Sequence, residues 1–257
     1  MISGSVLSNI IQQTFFNLVL GGVIYVLTRA MRCQPPKITF SRPRLEALLA
    51  LPAAWYPFIL LFAIAILQGP TTVGSTPREY SLPMVISQLF AHSNFLLPMF
   101  VLLLLRRQDF ASIGWSRHNL GRSVLLGVAL GGGMTAAQMV MRAVGITSLL
   151  DRQHFYAFLS CAIVGFGEET LYRGYLQTRM IAWLGDWPGW LTTGVLMALV
   201  HIPSRLFILG LSPLAAVLNV LSLIPVSLLL GYLMLRTGNV VAPGILHLFA
   251  DWVGTIK

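Results

Sequence analysis

Long apolar runs separated by short polar tracts set the pattern of this 257-residue chain. Divided at its charges, it falls into about eight apolar segments. A helix needs roughly 20 mostly apolar residues to cross a bilayer. The first segment carries no charge before Arg29 and no basic residue between Met1 and Asn9. A secretory signal would open on basic residues, so this segment is predicted to be a retained helix. Residues 47–67, 81–105 and 123–141 are each long enough to cross. Segment seven, 206–235, is 30 residues without a charge, interrupted by Gly210, Pro213 and Pro225. That pattern predicts a short half-helix followed by a full crossing. Segments five, six and eight (155–167, 187–200 and 240–250) are too short to span alone. They reach the necessary length only by taking in Glu168 and Glu169, His201, or His247 and Asp251.

Composition fixes the class. The chain is 56% hydrophobic and 10% charged, with a mean hydropathy of +0.78, whereas a soluble domain carries about 25% charged residues. The predicted fold is all-α, a polytopic transmembrane bundle of about eight helices. No linker separates two units. Residues 1–119 hold apolar helices without a specific motif, and 120–257 hold the motifs described below, within one continuous membrane domain. Gly127 and Gly131 form a GxxxG followed by Gly132 and Gly133, which predicts close helix packing.

A net charge of +9, from 17 Lys+Arg against 8 Asp+Glu, lies in short tracts between apolar runs. Anionic lipid and membrane topology account for such tracts better than nucleic acid does. The 28–46 loop holds Arg29, Arg32, Lys37, Arg42 and Arg44, and the 106–122 loop holds Arg106, Arg107, Arg117 and Arg122. Arg179 and Arg236 are assigned to later loops of the same parity, while Arg78, Arg142, Arg152, Arg205 and Lys257 fall to the opposite side. By the positive-inside rule, both termini are expected outside and the basic loops in the cytoplasm. The two cysteines, Cys33 and Cys161, form neither a disulfide framework nor a CxxC site.

Candidate chemistry follows from the cost of burying charge. An ionised side chain at mid-bilayer costs at least about 2.5–3.5 kcal/mol, so such groups gather in a bundle interior or an aqueous cavity. The central stretch is Gly167-Glu168-Glu169-Thr170-Leu171-Tyr172-Arg173-Gly174. Glu169 and Arg173 are i,i+4 and can pair across a turn, while Glu168 points about 100° away and is left free to act as a base. Taken alone, this pattern is equally the ion pair of a helix end. His201 closes segment six, and alone it reads as an interfacial histidine before Pro203. His247 and Asp251 are again i,i+4, and alone they read as a hydrogen-bonded pair holding the last helix. Two glutamates, two histidines, an arginine and an aspartate in three otherwise apolar helices make a shared site the better account. His92 and His154 have no partner at helical spacing and are assigned to core or interface.

Glu168-Glu169-x-x-x-Arg173, then His201, then His247-x-x-x-Asp251, resembles the CPBP family of CAAX proteases and bacteriocin-processing enzymes. These are also called Abi or type II CAAX prenyl endopeptidase-like proteins. The likeness covers roughly residues 120–255. Met197 stands where the family usually has Phe in Phe-x-x-x-His. The resemblance implies an intramembrane endopeptidase with its site inside the bundle, open towards the cytosolic side. It implies that Glu168 and His201 activate a water, that His247 and Asp251 stabilise the oxyanion, and that Arg173 holds the glutamate pair. It also implies a metal-independent site. The residues leave a zinc alternative through His201, His247 and a carboxylate, but lack His-Glu-x-x-His, so no cofactor is the favoured expectation. The expected partners are membrane lipids and a peptide or membrane-protein substrate, and the expected location is a bacterial cytoplasmic (inner) membrane. Two further readings use the same residues: a non-catalytic bacteriocin-immunity or scaffold protein, and a small proton-coupled transporter with a Glu-His-Asp relay. The transporter would be expected to show an internal repeat, and none is found.

Overall fold

Each apolar stretch folds as helix, because inside a bilayer only a helix satisfies its own backbone polar groups locally. The computed structural model describes residues 4–68, 79–142 and 151–255. Their order is α1 (Gly4–Ala30), α2 (Pro43–Gln68), α3 (Leu82–Leu105), a 3₁₀ turn (Phe110–Ile113), α4 (Leu120–Arg142) and α5 (Arg152–Glu169). A π-helical stretch (Thr170–Gln177) then leads into α6 (Thr178–Leu184). After α7 (Asp186–Leu199) comes a π turn (Ser204–Ile208), followed by α8 (Pro213–Thr237) and α9 (Val241–Val253). No strand occurs among the described residues. Five stretches are long and apolar enough to cross a membrane: Pro43–Ile64, Leu82–Leu105, Leu120–Arg142, Asp186–Ile208 and Pro213–Thr237. Large apolar side chains face outwards, Leu104 at 78% and Val140 at 81% exposure, as a lipid-facing surface requires and a soluble one forbids.

α9 lies against both α4 and α5. The predicted glycine packing is what brings α4 there. A Cβ on Gly131 would stand 2.5 Å from the Phe249 ring, and one on Gly127 would stand 2.7 Å from Ile245 Cβ. Gly132 and Gly133 face open space and play no part in the contact.

The structure revises three element expectations. Segment five does not stop at Gly167: α5, the π stretch and α6 run on as one rod over 152–184. Segment six gains length from the π turn, giving the 23-residue span Asp186–Ile208, so the anticipated half-helix belongs to α7. The break follows at Gly210, whose φ of +62° is a left-handed value, and Pro213 opens α8 behind the Ser212 N-cap. Pro225 sits within α8 without breaking it, as membrane helices tolerate when neighbours re-satisfy the freed backbone.

The basic loops of one parity meet at one end of the bundle. Asn119 Nδ2 donates to the carbonyls of Gln34 (3.1 Å) and Thr237 (2.9 Å), and Asn239 Nδ2 donates to those of Ser116 (2.8 Å) and His118 (2.9 Å). Arg106 donates twice to Glu46 Oε1, at 2.9 and 2.8 Å. Gln108 Nε2 donates to Glu46 Oε2 at 2.8 Å, and Arg179 donates to Gln108 Oε1. Arg179 and Arg236 are helical residues rather than loop ones. Arg179 is wholly buried, stacked 3.8 Å from the Tyr175 ring centroid, and Arg236 Nε donates to Thr28 Oγ1. Arg78 and Lys257 lie outside the described residues. Both cysteines are buried and neither is in a disulfide.

Candidate active site

The Glu168–Glu169 pair stands at the junction where α5 passes into the π stretch. A π segment winds more than four residues per turn, and such segments recur at functional positions. All eight of its residues are buried. Gly174 permits this: a Cβ there would lie 2.5 Å from the Ile113 carbonyl oxygen, so only glycine lets the 3₁₀ turn press against the rod.

The two glutamates part company. Glu169 is fully buried, and its Oε1 lies 3.0 Å from Arg173 Nη1 and 2.8 Å from His247 Nδ1. The arginine contact is a charge contact without hydrogen-bond alignment. Arg173 instead donates through Nη2 to the Ser227 carbonyl (2.9 Å) and to Ser227 Oγ (3.1 Å). Ser227 Oγ in turn donates to the Gly194 carbonyl at 2.9 Å. One residue pair thus ties the rod to α7, α8 and α9. Glu169 Oε2 is buried with no hydrogen-bond partner among the described residues. His247 Nε2 lies 3.5 Å from Asp251 Oδ2, whose side chain is 43% exposed.

Glu168 faces the other way. Its Oε2 lies 4.0 Å from His201 Nε2, each side chain just over one-fifth exposed. That is too long for a direct hydrogen bond and close to what one bridging water spans. His201 Nδ1 sits 3.1 Å from the Met197 carbonyl. Since a carbonyl only accepts, Nδ1 carries a proton, and Nε2 is the nitrogen turned towards Glu168. Met197 therefore orients the histidine through its backbone.

Glu168 and His201 line a cleft of about 370 Å³ together with Gln88, His92, Ser204 and Arg205. His92, expected in the core or at an interface, is a wall of the cleft. It donates from Nδ1 to the Gln88 carbonyl, and its ring packs on Gly167, where a Cβ would be 2.9 Å away. The cleft adjoins an apolar groove of about 490 Å³ between α3 and α5, lined by Leu89, Phe100, Phe110, Trp115 and Phe166 and sharing His92 and Gly167. Trp115 Nε1 donates to Thr170 Oγ1 at 3.0 Å, so the segment before residue 120 shapes the site.

Six residues were expected to converge. The structure instead forms two groups back to back, Glu168 with His201 in the cleft and Glu169, Arg173, His247 and Asp251 in a network behind it. The cleft is lined by the second half of α2, the middle of α3, the middle of the rod and the end of α7. The apolar groove beside it reaches the basic loops at Phe110 and Trp115. Zinc fits poorly: no three His, Cys, Asp or Glu side chains form a metal-binding group among the described residues. His201 and His247 face different carboxylates, and both ring nitrogens of His247 are taken by carboxylates.

An all-helical body with outward apolar faces and an acid–histidine pair in an internal cleft defines a multi-pass integral membrane protein with the makings of a hydrolase. Residues 151–253 match the family described as type II CAAX prenyl endopeptidase, Rce1-like, a segment that contains all six motif residues. No curated protein and no solved structure matches the chain. The match supports a CAAX protease-type enzyme.

Proposed function

We propose that the protein hydrolyses a peptide bond in a membrane-associated peptide or protein, using a water activated by Glu168 and His201. The observation that carries this reading is the 4.0 Å approach of Glu168 Oε2 to His201 Nε2 inside a cleft with an apolar annex. A water between them gives one proton to this pair as its oxygen attacks the scissile carbonyl carbon. The tetrahedral intermediate collapses as the C–N bond breaks, and the same proton passes to the leaving amine, giving a carboxylic acid and an amine; the acid's remaining proton then passes to the amine, leaving a carboxylate and an ammonium. Glu169, Arg173, His247 and Asp251 fix Glu168 from behind. The chemistry is metal-independent.

The apolar groove suits apolar residues or a lipid chain on the substrate. The type II CAAX enzymes are named for a prenylated tail. In a bacterial inner membrane, where prenylation is not expected, an apolar peptide leader or membrane-protein segment is the better candidate. The positive-inside rule sets the basic loops in the cytoplasm. Cleavage of membrane-anchored peptides by wild type in liposomes, compared with Glu168→Gln and His201→Ala and repeated with a strong chelator, tests the reading. Cleavage lost in both variants and indifferent to chelation supports it. Turnover that survives Glu168→Gln overturns the mechanism, and chelator sensitivity overturns metal independence.

A further inference from the structure

Three arginines gather at the end of the bundle where the basic loops meet. Arg29 lies in the last turn of α1, Arg236 in the last turn of α8 and Arg122 in the first turn of α4. Arg29 and Arg236 share one aromatic ring: their guanidinium carbons stand 5.5 and 5.3 Å from the Tyr25 centroid. Arg236 is fixed there through its Nε, which donates to Thr28 Oγ1 at 3.1 Å. Arg122 donates through Nη1 to the Arg32 carbonyl (3.4 Å) and to Asn119 Oδ1 (3.1 Å). Asn119 itself donates to the Thr237 carbonyl, one residue beyond Arg236. The Cys33 thiol lies within the field of both Arg122 and Arg236.

No carboxylate among the described residues lies within 4.0 Å of any of the three. Arg122 and Arg236 donate only to neutral oxygens, each through a single nitrogen. Both Nη groups of Arg236, and Nε and Nη2 of Arg122, are left for a ligand. A helix C-terminus attracts a cation, which accounts for Arg29 and Arg236 one at a time. It does not account for two cations on one ring. Nor does it account for Arg122, which stands at a helix start where the dipole opposes it.

Depth gives the class of the ligand. Arg122 is the third residue of the span Leu120–Arg142, and Arg236 is the last but one of Pro213–Thr237. Both therefore sit at the rim of the apolar layer, where the polar headgroups begin. Val26, on the α1 turn before Arg29, and Leu125, on the α4 turn after Arg122, are exposed and offer an apolar wall to acyl chains.

We propose that Arg29, Arg122 and Arg236 form a site for the phosphate of an anionic phospholipid, which clamps α1 and α4 to the end of α8. Guanidinium forks match phosphate oxygens in pairs. Three positive charges without a negative one favour an anionic headgroup over a zwitterionic one. The site is distinct from the cleft and independent of the peptidase reading.

Thermal unfolding of the full chain in detergent tests this, with dioleoylphosphatidylglycerol, dioleoylphosphatidylcholine or inorganic phosphate added. The phosphatidylglycerol is expected to raise Tm by about 5 °C near saturation, and the other two by much less. Arg29→Gln combined with Arg236→Gln should remove most of that rise. Arg42→Gln combined with Arg44→Gln, at exposed positions of the same end, should leave it in place. No rise with phosphatidylglycerol, or an equal rise with phosphatidylcholine, overturns the proposal. So does an equal loss in both double variants, which would reduce the effect to a general attraction of the basic surface. An equal rise with inorganic phosphate overturns the lipid as the source. Native mass spectrometry supplies a second reading on folded protein, using the single exposed-site variant Arg122→Gln. Wild type should retain phosphatidylglycerol at least about tenfold over phosphatidylcholine, and Arg122→Gln should lower that ratio several-fold. A ratio unchanged in Arg122→Gln overturns the site.

Discussion

Glu168 and Glu169 are chain neighbours whose carboxylates belong to different environments: one faces His201 across 4.0 Å of open cleft, the other is sealed between Arg173 and His247. Glu169 Oε1 is taken by Arg173 and His247, which leaves Glu168 as the carboxylate that lines the cleft. The two should therefore fail differently when altered.

Substitution on the cleft side should affect rate rather than fold. Glu168→Gln and His201→Ala are each expected to lower kcat by about 10²–10⁴-fold, with thermal unfolding in detergent close to wild type. A large fall in Tm with either variant would argue that the pair is structural.

On the network side, stability should go first. Arg173→Ala leaves the Glu169 carboxylate buried with its arginine removed, and loss of one partner of a buried pair costs about 3–5 kcal/mol. Thermal or denaturant unfolding should show it even in the inactive Glu168→Gln background.

Helix packing offers a test independent of chemistry. Gly131→Val should destabilise by at least about 1–3 kcal/mol, because its first carbon already meets the Phe249 ring at 2.5 Å. Gly132→Ala, one position along and facing open space, should be near neutral. Similar losses from both would overturn the α4–α9 contact.

Thiol reactivity reports on the basic end. Cys33 is 8% exposed, and burial pushes its thiol above the ordinary value, partly opposed by Arg122 and Arg236. A raised pKa means less thiolate at a given pH, so maleimide labelling in a Cys161→Ala background should be slower than for a peptide thiol at pH 8. The rate should also go on rising beyond the pH at which the peptide levels off. Peptide-like kinetics in the folded protein would contradict the burial.

Much of this molecule is legible along the chain, because burying charge in a bilayer is costly enough to leave its mark on residue order. The helical class, the GxxxG contact and the Glu169–Arg173 and His247–Asp251 pairs all follow from helical spacing. What spacing cannot convey is which residues of different helices share a cavity. Neither His92 nor Arg205 has a charged partner at helical spacing to mark it in the sequence, and they reach the cleft only through packing of α3 and the π turn around α5. Arg179 looked like a loop base because its charge is visible in sequence, while the Tyr175 and Gln108 that bury it are contributed by tertiary structure.

The π stretch between Glu169 and Thr178 bears on how such a rod can change over evolution. Its wider winding sets the helix before it and the helix after it out of phase. The upstream half can aim its carboxylates at α7 and α9 while the downstream half aims Arg179 at the opposite anchor, neither dictating the other's rotation. Losing one residue between 170 and 177 would have to be absorbed either as tighter, regular winding or as a rotation of one half against the other. The length of this stretch therefore constrains the protein as tightly as the identity of any residue in it.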